Sequence, residues 1–242
     1  MRLLKNIAKQ RGQPLFLKGM FKKVSLSFLT GILAGLAIGL GGFLYIVLTH
    51  YVSGELGKVL GSTAFAVGLF LVCTFKLSLY TGKIGLIYEQ KQDKSYYVSL
   101  PFILIGNAIG AFALGYICYA IFANHEIMKT VNLVCSSRTT LNDFNDYLAL
   151  MVKSLLCGLC VYLAVYSFNK NRLKPVGILL LVFFVFVFVY AGFQHCIANM
   201  FYFGFGNHII GRTFINLALC ILFNSFGPIF GVLLVKLIQK QK

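Results

Sequence analysis

Six apolar stretches, each near or above the ~20 residues that cross a bilayer, take up most of this 242-residue chain. They run over about residues 24–49, 61–88, 97–123, 147–168, 175–203 and 213–238. In hydrocarbon every backbone N–H and C=O needs a partner within the protein, and a helix supplies those partners internally. Hydrophobic residues make up 59% of the chain, against ~45–50% in an ordinary soluble domain. The sequence predicts an all-α integral membrane protein with six transmembrane helices, a single domain over 1–242. The connections between stretches are short, so any functional site is expected within the spans.

The formal net charge is +16, from 22 Lys and Arg against 6 Asp and Glu. Its distribution is informative. Arg2, Lys5, Lys9, Arg11, Lys18, Lys22 and Lys23 precede the first stretch. Lys91 and Lys94 follow the second, Lys170, Arg172 and Lys174 follow the fourth, and Lys236, Lys240 and Lys242 close the chain. The opposite side carries Lys58, Lys129, Arg138 and Arg212. Cations concentrate on the cytoplasmic side of a membrane protein. Both termini are therefore expected in the cytoplasm, with the chain multi-pass in the cell (inner) membrane. The basic excess reads as a topology signal with some attraction to anionic lipid, and not as a nucleic-acid surface. The first stretch is too long for a cleavable signal peptide and has no small-residue cleavage site. Residues 1–23 read as a basic cytoplasmic segment, in which 14–23 is either a short helix along the membrane surface or a solvated tail. Seven cysteines lie mostly within the stretches, which does not suit a disulfide framework. Cys157-Gly-Leu-Cys160 reads as interior packing, and no metal or other cofactor is expected.

Residues 191–200 read Ala-Gly-Phe-Gln-His-Cys-Ile-Ala-Asn-Met. They set Gln194, His195 and Asn199 inside an apolar run, beside Gly192. Such groups are costly in hydrocarbon and face a protein interior or a water path. A polar, interrupted span points to a transport site. Residues 75–83, Phe-Lys-Leu-Ser-Leu-Tyr-Thr-Gly-Lys, mark a second break. Irregular backbone at that depth is tolerated where it is buried or lines a cavity. The two halves of the chain also match at one fixed offset of 117 residues. Gly41 falls on Gly158, Tyr45 on Tyr162, Asn107 on Asn224 and Gly110 on Gly227. On that offset Ser78 falls on His195, and Thr81-Gly82 on Ala198-Asn199. Three spans per repeat, 24–123 and 124–242, require the second to be inverted. Two broken helices meeting at mid-membrane then form a pore or carrier site.

At these residues the sequence resembles the formate/nitrite transporter family, over nearly the whole chain. Gly31 through Gly42 is similar to its glycine-rich first helix. Leu79-Tyr80-Thr81-Gly82 is similar to its second-helix loop, and Gly106-Asn107-Ala-Ile-Gly110 to its third helix. Gly192 through Met200 is similar to its broken fifth helix. Asn216-Leu217 with Phe223-Asn224-Ser-Phe-Gly227 is similar to its sixth. The resemblance implies an aquaporin-like subunit assembled as a homo-pentamer. Each subunit would then have one pore for small monovalent anions such as formate, nitrite or hydrosulfide, with protons. It makes His195 the pore histidine and Thr81 its hydroxyl partner. Phe65 and Phe188 fall at the outer apolar constriction, and Leu69, Leu79, Tyr80 and Val161 at the inner one. Three positions depart from the family pattern. Gln194 stands where glutamate is usual, Gly158 where a pore asparagine is, and Asn142 where a lysine draws anions in. These departures bear on substrate and electrostatics, not on the fold.

His195, Thr81, Asn199, Gln194 and Lys76 form the candidate pore set. Burial disfavours an imidazolium, so a neutral His195 could donate a hydrogen bond to an anion or lend it a proton. An anion in an apolar neck is otherwise expensive. Lys76, a cation within a span, is read as attracting anions, and Lys153 as packing at a subunit contact. Asn107, Asn199 and Asn224 are expected to tie down loop backbone, with Gly82 and Gly192 shaping the loops. Phe183, Phe184 and Phe186 read as lipid-facing or packing surface. An aquaporin-like pore for neutral solutes is the alternative. Its paired Asn-Pro-Ala turns are missing, since none of the prolines follows asparagine. The four histidines are too scattered for an enzyme site.

Overall fold

The computed structural model describes the backbone of residues 2–88 and 94–239, and the side chains of 19–87 and 94–237. Lys91, Lys240 and Lys242 fall outside the described residues, as do the side chains of Arg2, Lys5, Lys9, Arg11 and Lys18. Among the described residues all regular structure is helical. Helix α1 (Arg2–Tyr51) leads into α2 (Gly54–Ala64) and α3 (Ala66–Thr74), then across a non-helical stretch to the single turn α4 (Tyr80–Lys83) and a 3-10 turn, Ile84–Tyr88. Then come α5 (Lys94–Phe122), α6 (Ile127–Thr139), α7 (Phe144–Lys170), α8 (Lys174–Tyr190), α9 (Cys196–Phe205) and α10 (Gly211–Gln239).

Five helical runs are long and apolar enough to cross a membrane: Gly19–Tyr51, Gly54–Thr74, α5, α7 and α10. α8 and α9, of 17 and 10 residues, are shorter than the ~20 that span a bilayer. They follow one another across the break at 191–195. The chain is thus a multi-pass membrane protein.

Three expectations are corrected. Residues 14–23 do not form a separate helix, because α1 runs through them without interruption. The second stretch becomes helical at Gly54, earlier than its apolar run, and stops at Thr74. The connection over 124–146 holds α6, which hydropathy hides because its sequence, Ile-Met-Lys-Thr-Val-Asn-Leu-Val-Cys-Ser-Ser-Arg-Thr, mixes polar and apolar residues. One face of α6 is fully buried at Val131 and Cys135. His50 Nδ1 meets Thr130 Oγ1 at 3.0 Å, and Cys135 Sγ donates to the Tyr202 carbonyl at 3.1 Å. α6 therefore closes the end of the bundle over α1 and α9.

α1 packs along α5, and α7 along α10. Small residues let these backbones touch, as is usual for helix pairs in membranes. A Cβ on Gly110 would collide with the Ile32 carbonyl, and one on Gly227 with the Leu155 carbonyl. α9 is buried along its whole length, with Phe201, Phe203 and Phe205 in the core.

The two breaks are built alike. Each helix ends in a residue of left-handed backbone, Lys76 at φ 54° and Gly192 at φ 70°. Before α4, Lys76 N–H donates to Cys73 O and Leu77 N–H to Val72 O. Before α9, Gly192 N–H donates to Val189 O and Phe193 N–H to Phe188 O. Each break closes on an extended residue that opens the next helix, Leu79 (φ −96°, ψ 125°) and His195 (φ −103°, ψ 116°). The equivalences run at 116 residues, from 76 to 192 and from 79 to 195. Leu79, not Ser78, therefore corresponds to His195, and Thr81 corresponds to Ile197. The offset of 117 holds for Asn107 and Asn224, and the second repeat accommodates one more residue between its break and its asparagine.

Candidate functional site: a buried histidine between two cavities

The asparagines hold the breaks in place. Asn107 Nδ2 donates to the carbonyls of Ser78 and Gly31, both at 2.8 Å, and its Oδ1 accepts from Tyr80 N–H at 2.8 Å. Asn224 repeats the pattern on Gln194 O (2.8 Å), Ser154 O (2.6 Å) and Cys196 N–H (2.9 Å). Each side chain ties the last residues of a break to the neighbouring long helix, α1 or α7. Both are fully buried, where an unpaired backbone group costs most.

His195 caps α9. Its Nδ1 accepts from Ala198 N–H at 3.2 Å, and its Nε2 lies 3.0 Å from Thr81 Oγ1. The cap fixes the tautomer. An Nδ1 that accepts from backbone carries no proton, so the proton of the neutral ring sits on Nε2, towards Thr81. Thr81 is wholly buried and His195 is 2% exposed. The pair joins the two breaks at their centre, although their positions are not equivalent in the repeat.

Two cavities flank this pair. The first, about 380 Å³, lies under α6 and is lined by Phe65, Phe188, Gln194, His195, Asn199, Arg138 and Lys153 among others. The second, about 250 Å³, includes Leu79, Gly82, Lys76 and Lys83 in its lining. Phe65 and Phe188 meet edge to face at 5.7 Å, and the Phe188 ring lies 6.0 Å from that of His195. Leu69, Leu79 and Val161 are buried in the same core cluster. Tyr80 is not with them. It packs on Ile84, Tyr96 and Leu100, and its hydroxyl meets Ser225 Oγ at 3.0 Å. Gly82 has no left-handed φ, and an added Cβ would meet only Val165, at an ordinary 3.5 Å. Lys76 is exposed on the second cavity, whereas Lys153 reaches the first.

Sequence reasoning singles out Arg138 only as an outer-surface cation that could attract anions in place of Lys76, and misses its contacts. Its Nε donates to Asn199 Oδ1 at 2.9 Å, across 61 residues of chain, and its guanidinium lies 4.5 Å over the Tyr202 ring. Asn199 Nδ2 then donates to Gln194 Oε1 (2.7 Å) and Asn216 Oδ1 (2.9 Å). The guanidinium has only donors, so it forces the oxygen of Asn199 towards itself and the nitrogen towards Gln194. No spacing in the sequence announces this meeting. Asn142, where the family pattern has a lysine, accepts from Arg212 at 3.1 Å. A cation thus stands beside that position, supplied by another segment.

The family model of the formate/nitrite transporters matches residues 17–238. The chain belongs to that family. Among curated relatives it is similar to the formate channel FocB of Escherichia coli, 23% identical over 188 residues. It is also similar to the formate channel FocA of Haemophilus influenzae, 24% identical over 198 residues. Both matches take in 74% of this chain, and they span 65% and 66% of those proteins. Among solved structures the fold is similar to a pentameric formate channel with formate bound. There the TM-score is 0.69 at 23% identity, covering 93% of this chain and 97% of that one. An ion channel of the same family gives a TM-score of 0.74 at 18% identity, covering 89% and 95%. The resemblance carried by five short motifs is the family of the whole chain, and these neighbours are channels and not enzymes.

Proposed function

We propose that this protein is a passive or proton-linked channel for small monovalent anions such as formate, nitrite, hydrosulfide or similar weak acids. The observation that carries the reading is the His195–Thr81 contact of 3.0 Å, buried between a cavity that includes His195 and one that includes the neighbours of Thr81. Phe65 and Phe188 form an apolar neck on one side of it, and Leu69, Leu79 and Val161 form one on the other. An anion cannot enter such a neck bare at acceptable cost. The Nε2 proton offers it a hydrogen bond, or a proton to share while it crosses. The cavity under α6 opens outward, and that of Lys76 and Lys83 opens to the cytoplasm, in line with the clustering of cations. Lys76 then draws anions from the cytoplasmic side. Five copies assemble around a common axis, a reading supported by likeness to a pentameric channel. The termini lie in the cytoplasm and the protein in the inner membrane.

Purified protein in liposomes tests this. Formate, nitrite and hydrosulfide should each enter faster than in empty liposomes, whereas glycerol should not. Glycerol uptake with all three anions excluded would replace the anion reading by a neutral-solute pore.

A further inference from the structure

The outer cavity contains a cation whose geometry is more specific than charge attraction needs. Arg138 is fastened at three points. Its Nε donates to Asn199 Oδ1 at 2.9 Å, its Nη1 donates to the carbonyl of Val134 at 3.0 Å, and its Cζ lies 4.5 Å from the centre of the Tyr202 ring. A guanidinium has five N–H donors. Two are used within the protein, which leaves three, on Nη1 and Nη2. Arg138 lines the same cavity as His195 and is half-buried there. Among the described residues no carboxylate forms a salt bridge with it. Glu55 is bonded to Tyr190, Glu126 to Lys129, and Asp143 and Asp146 to backbone N–H groups. The chain of contacts from Arg138 through Asn199 ends in the neutral amides of Gln194 and Asn216. The positive charge therefore stays uncompensated at the cavity wall.

We infer that Arg138 forms an anion-recognition site before the neck and selects planar anions with two oxygens, such as formate and nitrite, over single-centre anions such as hydrosulfide. A guanidinium fork binds two oxygens in one plane with paired hydrogen bonds. A one-centre anion gains the charge but not the second bond. The bonds to Asn199 and to the Val134 carbonyl hold the fork in one orientation, and the first ties it to the helix that His195 caps. Lys153 lines the same cavity, but a flexible ammonium offers charge without that geometry. This inference rests on the anion-channel reading and gives it a substrate class.

The test compares half-saturating concentrations for formate, nitrite and hydrosulfide at one pH in liposomes. In the wild-type protein, formate and nitrite should saturate at concentrations roughly tenfold below hydrosulfide, the worth of one further bond to a charged group. Arg138→Lys keeps the charge and removes the fork. In samples that elute as the wild-type oligomer and are reconstituted in equal amount, it should raise the values for formate and nitrite roughly tenfold. The value for hydrosulfide should change less than about twofold, since the charge that attracts it is retained. An equal change for all three anions, or none, overturns the inference. So does a wild-type protein that saturates with hydrosulfide as readily as with formate, a result that needs no variant. If the wild-type protein carries none of the three, the channel reading falls and this inference falls with it.

Discussion

Lys76 and Gly192 hold the same left-handed backbone at equivalent points of the two breaks, at φ 54° and 70°. Glycine adopts it freely, whereas another L-residue is held there at a cost of ~1–2 kcal/mol. Lys76→Gly should therefore raise the stability of the detergent-solubilised protein by about 1 kcal/mol, and Gly192→Ala should lower it by at least ~1 kcal/mol. Thermal unfolding of the two variants beside the wild type measures both. A lower midpoint for Lys76→Gly would mean that the lysine side chain contributes more to the fold than its backbone costs. The sequence marks Lys76 as a cation in a span, but a φ angle leaves no trace when the residue there is not glycine. His195 is legible for the opposite reason, since an imidazole in an apolar run has few roles. Arg138 is not, because its partner Asn199 lies 61 residues away.

Each broken element is kept in place by one asparagine rather than by apolar packing alone. Asn224 serves Cys196 N–H and the carbonyls of Gln194 and Ser154 at once. Asn224→Leu leaves all three without that partner inside the membrane. Hydrogen bonds there are worth ~0.6–2 kcal/mol each, so a loss of at least about 2 kcal/mol is expected. It should appear as a lower thermal midpoint and a lower yield of assembled oligomer. A midpoint unchanged from wild type would show that the break at 191–195 is held by the burial of α9 instead. The Asn-x-x-Gly pattern of the two repeats makes this pairing legible in the sequence, because both residues act through fixed spacing along one helix face. The alignment of the breaks themselves is legible only to within one residue. With so few matching side chains, only the backbone angles and hydrogen bonds separate Ser78 from Leu79 as the counterpart of His195. α6 is hidden because an amphipathic helix of 13 residues leaves no apolar run of spanning length.

For the molecule as a whole, hydropathy carries the membrane architecture, since it is an average over many residues and tolerates local error. The cavities beside His195 and Leu79 are a different kind of property. They depend on which side chains from four or more helices converge, and only the resemblance of short motifs hints at that convergence. The central claim is that anions cross at His195, between the Phe65–Phe188 neck and Leu79. His195→Phe keeps an aromatic ring in the site and removes the Nε2 donor. Formate flux into liposomes, measured for wild type and variant at equal amounts of intact oligomer, tests the claim most directly. The account predicts a loss of at least roughly tenfold, the value of one hydrogen bond to a charged group. Wild-type flux in the assembled phenylalanine variant would contradict it and place the path elsewhere.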